Sequence, residues 1–229
     1  MKIAGLQKLT LIDYPGKPAC TVFLAGCNLR CPWCHSPDLV IPEAAEEVPE
    51  IEEDFFGFLK KRKKVLEGVV ICGGEPTVNR GLDDFIEKIK DLDYEVKLDT
   101  NGTDPKTLER LIKRELLDYV AMDLKAPPGN YKGVTGVDVD PAVLRESIFL
   151  VKGMNNYEFR TTVVPGIHDQ KKLLKILEEI KGAKKYFLQN FRGKITVDKS
   201  FQDKEGFSPE RMEKFKSLAQ KYVQSCKIR

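Results

Sequence analysis

The feature that most constrains the fold is a near-strict alternation of strand-like and helix-like segments. Short apolar, β-branched runs predict strands, and each is followed by a stretch with apolar residues at helical spacing. Six such pairs follow one another along the 229 residues. Alternation of this kind predicts a parallel sheet with right-handed crossovers. Because a complete barrel takes about 250 residues, the sequence predicts an α/β fold, a partial (β/α)6 TIM-like barrel with parallel strands.

Composition fits one globular domain. Hydrophobic residues make up 41% of the chain, and the formal net charge is only +3. We expect a single domain over residues 1–229, with a core at about 18–192 and a C-terminal helix at about 208–224. The small charge gives no argument for nucleic-acid binding, and without an apolar run of about 18 residues we expect no membrane span. The N-terminus lacks a secretory signal, so we expect a cytoplasmic protein whose thiols stay reduced.

Polar and glycine-rich motifs follow the predicted strands at their carboxyl ends, where the active sites of such barrels lie. Residues 73–75 (Gly-Gly-Glu) follow the second strand, and residues 99–102 (Asp-Thr-Asn-Gly) follow the third. Asp123 and Lys125 end the fourth strand, and Arg160 lies on the fifth. Simpler interpretations exist: a glycine turn, an Asx turn or cap, and an ion pair between Asp123 and Lys125, which share one face of a strand.

Three cysteines follow the first predicted strand at spacing C-x3-C-x2-C: Cys27, Cys31 and Cys34. Structural zinc sites and ordinary iron–sulfur clusters each take four protein ligands. A [4Fe–4S] cluster on three cysteines keeps one iron open for an exogenous ligand, and is therefore a site for chemistry. A zinc site completed by His35 is the alternative, which the adjacency of Cys34 and His35 disfavours. A disulfide framework fits less well, because six cysteines in 229 residues are sparse.

The cysteine spacing, with Trp33 directly before the third cysteine, resembles the signature of radical S-adenosylmethionine enzymes. Segments 5–16 and 26–35 are most similar to activating enzymes of glycyl radical enzymes, in particular the anaerobic ribonucleoside-triphosphate reductase activating proteins. The resemblance implies an oxidoreductase that reductively cleaves S-adenosylmethionine at a [4Fe–4S] cluster. The resulting 5′-deoxyadenosyl radical abstracts hydrogen from a glycine of a partner enzyme. One departure is Ser36, where the family usually has Asn.

The same resemblance implies roles for individual residues. Cys27, Cys31 and Cys34 are implied as the cluster ligands. The implied contacts with S-adenosylmethionine are Trp33, Gly73, Gly74, Glu75, Asp99, Asn101, Lys125 and Arg160. A monovalent cation beside the cofactor carboxylate is implied at Asp99, Thr100, Met122 and Asp123.

The resemblance also implies partners. A glycyl radical enzyme is expected as protein substrate, and a flavodoxin or ferredoxin as electron donor. The acidic segment 38–52 is predicted to be a loop over the site. Two other hypotheses stay open: a radical enzyme acting on a small molecule, of the 7-carboxy-7-deazaguanine synthase type, and a non-catalytic metal-binding protein that kept the fold.

Overall fold

The computed structural model describes residues 1–40 and 51–229. The strands are β1 (Ile3–Thr10), β2 (Ala19–Leu24), β3 (Gly68–Gly73), β4 (Glu95–Thr100), β5 (Tyr119–Asp123), β6 (Tyr157–Val163), β7 (Tyr186–Asn190) and β8 (Cys226–Ile228). The helices are α1 (Pro37–Val40), α2 (Ile51–Arg62), α3 (Leu82–Lys90), α4 (Pro105–Lys113), α5 (Tyr131–Thr135), α6 (Pro141–Gly153), α7 (Gln170–Glu179) and α8 (Pro209–Ala219). Of the predicted acidic loop, residues 41–50 lie outside the described residues, and the flanking residues belong to α1 and α2.

The eight strands found in residues 1–40 and 51–229 follow one another in the sheet in chain order. Most are parallel, with helices between successive strands, as the alternation predicted. The six predicted strands correspond to β2–β7, so the prediction of an α/β fold of the partial (β/α)6 barrel type is confirmed. The leading segment adds β1, which runs antiparallel to β2. No helix among the described residues is long and apolar enough to cross a membrane.

The described residues divide into two compact units, and the single domain stays a prediction. The first unit contains Met1–Asn28, Asp38–Thr100 and Lys106–Val120. The second contains Leu29–Pro37, Asn101–Pro105 and Ala121–Arg229.

The first unit is built on a β-branched strand pair in parallel register. Strand β3 has the sequence Gly-Val-Val-Ile-Cys-Gly, and its first four residues are buried. It pairs with β2 from Ala19 opposite Gly68 to Leu24 opposite Gly73. This register places the glycine pair that begins at Gly73 beside the last residue of β2, directly before the cysteine loop.

The second unit has helix starts that the sequence encodes. Asp140 caps α6 by accepting a hydrogen bond from the Ala142 N–H at 2.8 Å, with Pro141 in the first turn. Ser208 caps α8 in the same way, with Pro209 following. A side-chain acceptor at the cap and proline in the first turn are typical start signals. Both helices therefore begin at start signals that can be read in the sequence.

Strand β8 was not predicted, because three residues, Cys-Lys-Ile, are too short to show a period. It pairs in parallel with β7, from Tyr186 opposite Cys226. The residue after it, Arg229, donates from both terminal nitrogens to the carboxylate of Glu158 at 2.8 and 3.2 Å. Glu158 is completely buried, on β6. The guanidinium of Arg229 also lies 3.5 Å from the ring centre of Phe187, so one side chain fastens the last strand to its two predecessors.

Candidate active site

The three predicted cysteines lie on the loop after β2. None of the three forms a disulfide with another cysteine of residues 1–40 and 51–229; Cys31 is buried, whereas Cys27 and Cys34 are partly exposed. The Cys34 N–H donates to the Cys31 carbonyl at 3.0 Å, which closes a turn between these two residues. Within residues 1–40 and 51–229, no group of three or more His, Cys, Asp or Glu side chains is placed to hold a metal ion. Three thiol groups on one loop are the donor type that an iron–sulfur cluster takes, and the ligand roles of the three cysteines stay predictions.

The second half of this loop is fixed by a segment far along the chain. The backbone N–H of Val197 donates to the Cys34 carbonyl at 3.1 Å, and that of Asp198 donates to the Pro32 carbonyl at 2.9 Å. Residues 192–207 show no regular helical or strand period, and the sequence analysis singled out none of them. Residue types carry no signal for this contact, because only backbone atoms make it.

His35, the fourth ligand of the zinc alternative, takes part in the same attachment. Its Nε2 lies 2.6 Å from the carbonyl oxygen of Arg192 and donates to it, since a carbonyl can only accept. The ring also stacks on Phe191, with centres 5.6 Å apart and planes 14° from parallel. His35 therefore has a structural use in positioning the cysteine loop.

Trp33, predicted to lie at the adenine region, is buried and packs against His168. The two ring centres are 6.0 Å apart at an interplanar angle of 83°. Nδ1 of His168 accepts from the Val164 N–H at 3.1 Å, and Nε2 donates to the Lys125 carbonyl at 3.0 Å. Sequence reasoning missed His168. Its available signal was that it is one of only two histidines and follows the carboxyl end of a strand.

His168 should make stability depend on pH. Burial lowers the pKa of His168 from its ordinary 6.5 to about 4, so between these values only the unfolded chain takes up the proton. The free energy of unfolding is then highest above pH 6.5 and falls towards pH 4, by about 3 kcal/mol from this group. Urea unfolding of the cluster-free protein at stepped pH measures it. His168→Gln should show a shallower slope between pH 6.5 and 5, and equal slopes would contradict the assignment.

Gly73 and Gly74 are required by backbone packing. Gly73 has φ +126°, and a Cβ there would overlap the backbone of Leu24. A Cβ on Gly74 would overlap the carbonyl of Gly26. The chain is held there by hydrogen bonds from the N–H of Gly74 to Leu24 at 2.9 Å and from that of Glu75 to Gly26 at 2.7 Å. The space that these glycines leave is filled by the backbone of Leu24 and Gly26, and their contact with a cofactor stays a prediction.

Glu75 is 1% exposed and links the ends of β3 and β4. Its Oε1 accepts from the Thr77 N–H at 3.2 Å and from the Thr77 hydroxyl at 2.7 Å. The same oxygen accepts from the Thr100 hydroxyl at 2.7 Å. Through these hydrogen bonds Glu75 fixes the position of the Gly-Gly-Glu motif, of which it is the last residue. Its predicted bond to the cofactor's amino group stays a prediction.

We expect Glu75→Ala to lower the free energy of unfolding by about 2–4 kcal/mol, because it leaves buried donors of Thr77 and Thr100 without their acceptor. Thr100→Val is the matched control: it removes one donor, keeps the carboxylate and should lose only about 1 kcal/mol. Urea unfolding of the three proteins tests this. Equal losses in both variants would show that Glu75 does not organise the motif.

Asp99 lies on β4 two residues after Lys97, and the two form an ion pair. The Lys97 side chain is 1% exposed, although it lies in the middle of the strand. Sequence reasoning singled out Asp99 but gave Lys97 no role. The signal was a lysine between two apolar residues, Val96 and Leu98, on a buried strand.

Asp123, Lys125 and Arg160 form one ion-pair network. Arg160 Nε donates to Asp123 Oδ1 at 2.8 Å, and Lys125 Nζ donates to Oδ2 at 3.0 Å. Burial alone would raise the pKa of Asp123, but the positive charges of Arg160 and Lys125 outweigh it and hold the pKa well below its usual range. Burial opposes the charge of Lys125 too, and Asp123 reverses this, so the pKa of Lys125 lies above its usual range. The simpler interpretation, an Asp123–Lys125 pair, is present in the structure.

Asn101 and Met122 have structural contacts in the second unit. Asn101 Oδ1 accepts from the N–H of Thr103 at 3.0 Å and from its hydroxyl at 2.6 Å, which makes the motif a turn. A Cβ on Gly102 would overlap the Met122 side chain, so the Met122 side chain can occupy this position because residue 102 is glycine. The cofactor and cation roles of Asn101, Met122 and Asp123, like those of Asp99 and Thr100, stay predictions.

Residues 21–188 match the model of the radical SAM superfamily. The chain belongs to this superfamily. Membership implies a [4Fe–4S] cluster and S-adenosylmethionine, and makes the protein a radical SAM enzyme. A Methanocaldococcus jannaschii protein, provisionally named a glycyl-radical enzyme activating enzyme, is 32% identical over 99% of this chain and 95% of its own length. The pyruvate formate-lyase-activating enzyme of Clostridium pasteurianum is 25% identical over 97% of this chain and 98% of its own length.

A solved structure shows the same fold. Streptococcus suis SuiB superposes with a TM-score of 0.67 over 91% of this chain and 48% of its own length. The sequence identity is only 14%, so the likeness concerns the fold.

Proposed function

We propose that this radical SAM enzyme is an activating enzyme that installs a glycyl radical on a partner enzyme, such as an anaerobic ribonucleotide reductase. The observation that carries the proposal is that its similarity to both activating enzymes runs over almost the whole of each chain. Such a match includes the segments that would contact a partner as well as the cysteine loop.

In this proposal the chain's residues hold and orient the cofactors. Cys27, Cys31 and Cys34 ligate the cluster, and the attachment of the loop to residues 197 and 198 keeps the last two in place. When bound, the cluster and S-adenosylmethionine supply a 5′-deoxyadenosyl radical. Trp33, held by His168, excludes water beside the adenine.

The remaining predicted contacts would hold the methionine end of S-adenosylmethionine. Gly73, Gly74 and Glu75 form a fixed edge for its amino group, and Lys125 carries a positive charge for its carboxylate. Asp99, Asn101 and Arg160 complete the proposed set. A flavodoxin or ferredoxin would supply the electron.

The test is an anaerobic reconstitution with iron and sulfide, followed by reduction and addition of S-adenosylmethionine. The partner is an anaerobic ribonucleotide reductase, compared with its variant in which the radical glycine is replaced by alanine. We expect 5′-deoxyadenosine, methionine and an organic radical signal in electron paramagnetic resonance, and no such signal with the alanine variant. Cleavage of S-adenosylmethionine without a radical on any glycyl radical enzyme offered would favour the small-molecule alternative. A cluster that neither responds to nor cleaves S-adenosylmethionine would favour the non-catalytic one.

A further inference from the structure

Residues 191–206 form a closed loop after β7, called the Ω-loop below. Asn190 ties its two ends together: Oδ1 accepts from the Phe207 N–H at 2.9 Å, and Nδ2 donates to the Phe207 carbonyl at 2.8 Å. Closer to the tip, the Asp203 N–H donates to the Gly193 carbonyl at 2.6 Å. Compact surface loops whose ends are close, and which are packed by their own contacts, are frequently functional.

The Ω-loop lies directly against the second half of the cysteine loop. Val197 donates its N–H to the carbonyl of Cys34 at 3.1 Å, and Asp198 donates to that of Pro32 at 2.9 Å. All of these residues belong to the second unit. The loop therefore touches the backbone of a proposed cluster ligand, and a protein that docked on the loop would lie close to the proposed cluster.

The outer face of the Ω-loop is basic in the half that contacts the cysteine loop. Residues 192–200 carry three exposed basic side chains and one exposed acidic side chain, and Ile195 among them is 61% exposed. The charged residues of this half are Arg192, Lys194, Asp198 and Lys199. The other half, residues 201–206, carries Asp203, Lys204 and Glu205 and is not basic. Positive charge and an exposed apolar side chain thus coincide where the loop meets Cys34.

We propose that residues 192–200 of the Ω-loop are the docking surface for an acidic one-electron carrier protein that reduces the cluster. The proposal rests on the proposed cluster ligands Cys31 and Cys34. Reductive cleavage needs an electron from outside the chain, and electron transfer slows steeply with distance, so the carrier must dock beside the cluster. One electron then passes from the flavin hydroquinone of the carrier to the oxidised cluster and leaves the flavin as a semiquinone. No covalent bond forms or breaks in this step.

The chemistry of the surface fits such a partner. Flavodoxin-type carriers have acidic surfaces, and complementary charge speeds the encounter of two proteins. Ile195 offers an apolar contact within a polar, charged rim, which is the usual anatomy of an interface. Electron-transfer complexes are small and bury less than about 1,200 Å² in total. One face of a loop is therefore large enough.

The first experiment reverses the charge at Lys194 and Lys199 together, as Lys194→Glu with Lys199→Glu. Lys171→Glu with Lys175→Glu on α7 is the matched control, because it changes the same charge at two other exposed lysines. Reconstituted proteins are mixed with flavodoxin hydroquinone, and cluster reduction is followed by absorbance and electron paramagnetic resonance. Calorimetry gives the Kd for oxidised flavodoxin. We expect the Lys194 and Lys199 variant to be reduced at least about tenfold more slowly and to bind at least about tenfold more weakly, with the control like the wild type.

A small neutral reductant, photoreduced deazariboflavin, should reduce all of these proteins at the same rate because it needs no docking surface. Ile195→Ser should weaken the Kd for flavodoxin by about fivefold through lost apolar contact. For the wild type, reduction by flavodoxin should slow by about tenfold between about 50 and about 500 mM NaCl.

An unchanged rate and Kd in the Lys194 and Lys199 variant, or an equal loss in the α7 control, would overturn the proposal. Equal slowing with deazariboflavin would do the same, because it would point to a damaged cluster. A defect confined to radical formation on a glycyl radical enzyme would assign the surface to that protein instead. If the variant does not fold, a wild-type flavodoxin rate that is independent of salt would refute the proposal.

These readouts are separate from those of the proposed function. Cluster reduction and flavodoxin binding are measured without S-adenosylmethionine and without a glycyl radical enzyme. An enzyme that is reduced through the Ω-loop but forms no glycyl radical would refute only the proposed activase function. A protein that takes up no cluster would refute the proposed ligands and this inference together.

Discussion

Cys31→Ala is expected to abolish reductive cleavage of S-adenosylmethionine, with 5′-deoxyadenosine formation falling by on the order of 10³-fold or more. Cys31 is 7% exposed, and its hydrogen bond with Cys34 uses its backbone carbonyl, which alanine keeps. The loop should therefore retain its turn, and the loss should report the missing thiolate. Iron and acid-labile sulfide contents after anaerobic reconstitution, together with product formation, measure the effect.

Cys72→Ala is the matched control for this prediction. Cys72 lies on β3, packs beside a buried cluster that includes Tyr14 and Val70, and has no proposed cluster role. It should bind iron and form product like the wild type, apart from a small loss of stability. If Cys31→Ala kept its full iron content and activity, or Cys72→Ala lost as much, the assignment of the cluster ligands would be wrong.

Gly74→Ala should destabilise the protein by at least about 3 kcal/mol or prevent its folding, because the new Cβ would meet the carbonyl of Gly26. This carbonyl also accepts from the Glu75 N–H, so neither backbone segment can move without losing that hydrogen bond. Urea unfolding gives the loss of free energy, and far-ultraviolet circular dichroism shows whether the variant folds. Iron content after reconstitution shows whether the cysteine loop is disturbed as well.

Two further glycine variants distinguish the effect of steric overlap at an added Cβ from the effect of backbone strain at a positive φ. Gly182 has φ +83° with nothing within 4 Å of an added Cβ, so Gly182→Ala should lose only about 1–2 kcal/mol. Gly153 also has open space around its Cβ position and no unusual φ, so Gly153→Ala should be close to neutral. If Gly74→Ala behaved like Gly153→Ala, the glycine at position 74 would not be required by its packing against Gly26.

The strand–helix alternation predicted the sheet because apolar period and β-branched composition are properties of residue types. The carboxyl ends of the predicted strands indicated where the polar motifs lie. The ion pair of Asp123 with Lys125 followed from their spacing of two residues on one strand. The attachment of the cysteine loop to Val197 could not be predicted in this way, because backbone atoms are the same at every position. Strand β8 was missed for a related reason, since its pairing with β7 and not its composition defines it.

Lys97 and His168 show a second kind of limit. Each has a residue type that is more often exposed, and burial of such groups depends on partners distant in sequence or on the strand's surroundings. His168 finds the carbonyl of Lys125, 43 residues before it. The sequence singled out the glycine pair because it suggested room for a ligand, whereas the structure shows the backbone of Leu24 and Gly26 in that space.

The ion pair between Glu158 and Arg229 has a consequence for biosynthesis. The two residues are 71 positions apart, and the carboxylate is completely buried. At translation rates of about 5–20 residues per second, the ribosome needs roughly 4–14 seconds to make the intervening chain. During that interval Glu158 on β6 cannot be buried next to the positive charge of Arg229, because Arg229 has not yet been made. The edge of β7 likewise has no β8 to pair with. The second unit therefore reaches its final packing only after β8 has been made, and until then β7 lacks the strand that pairs with it.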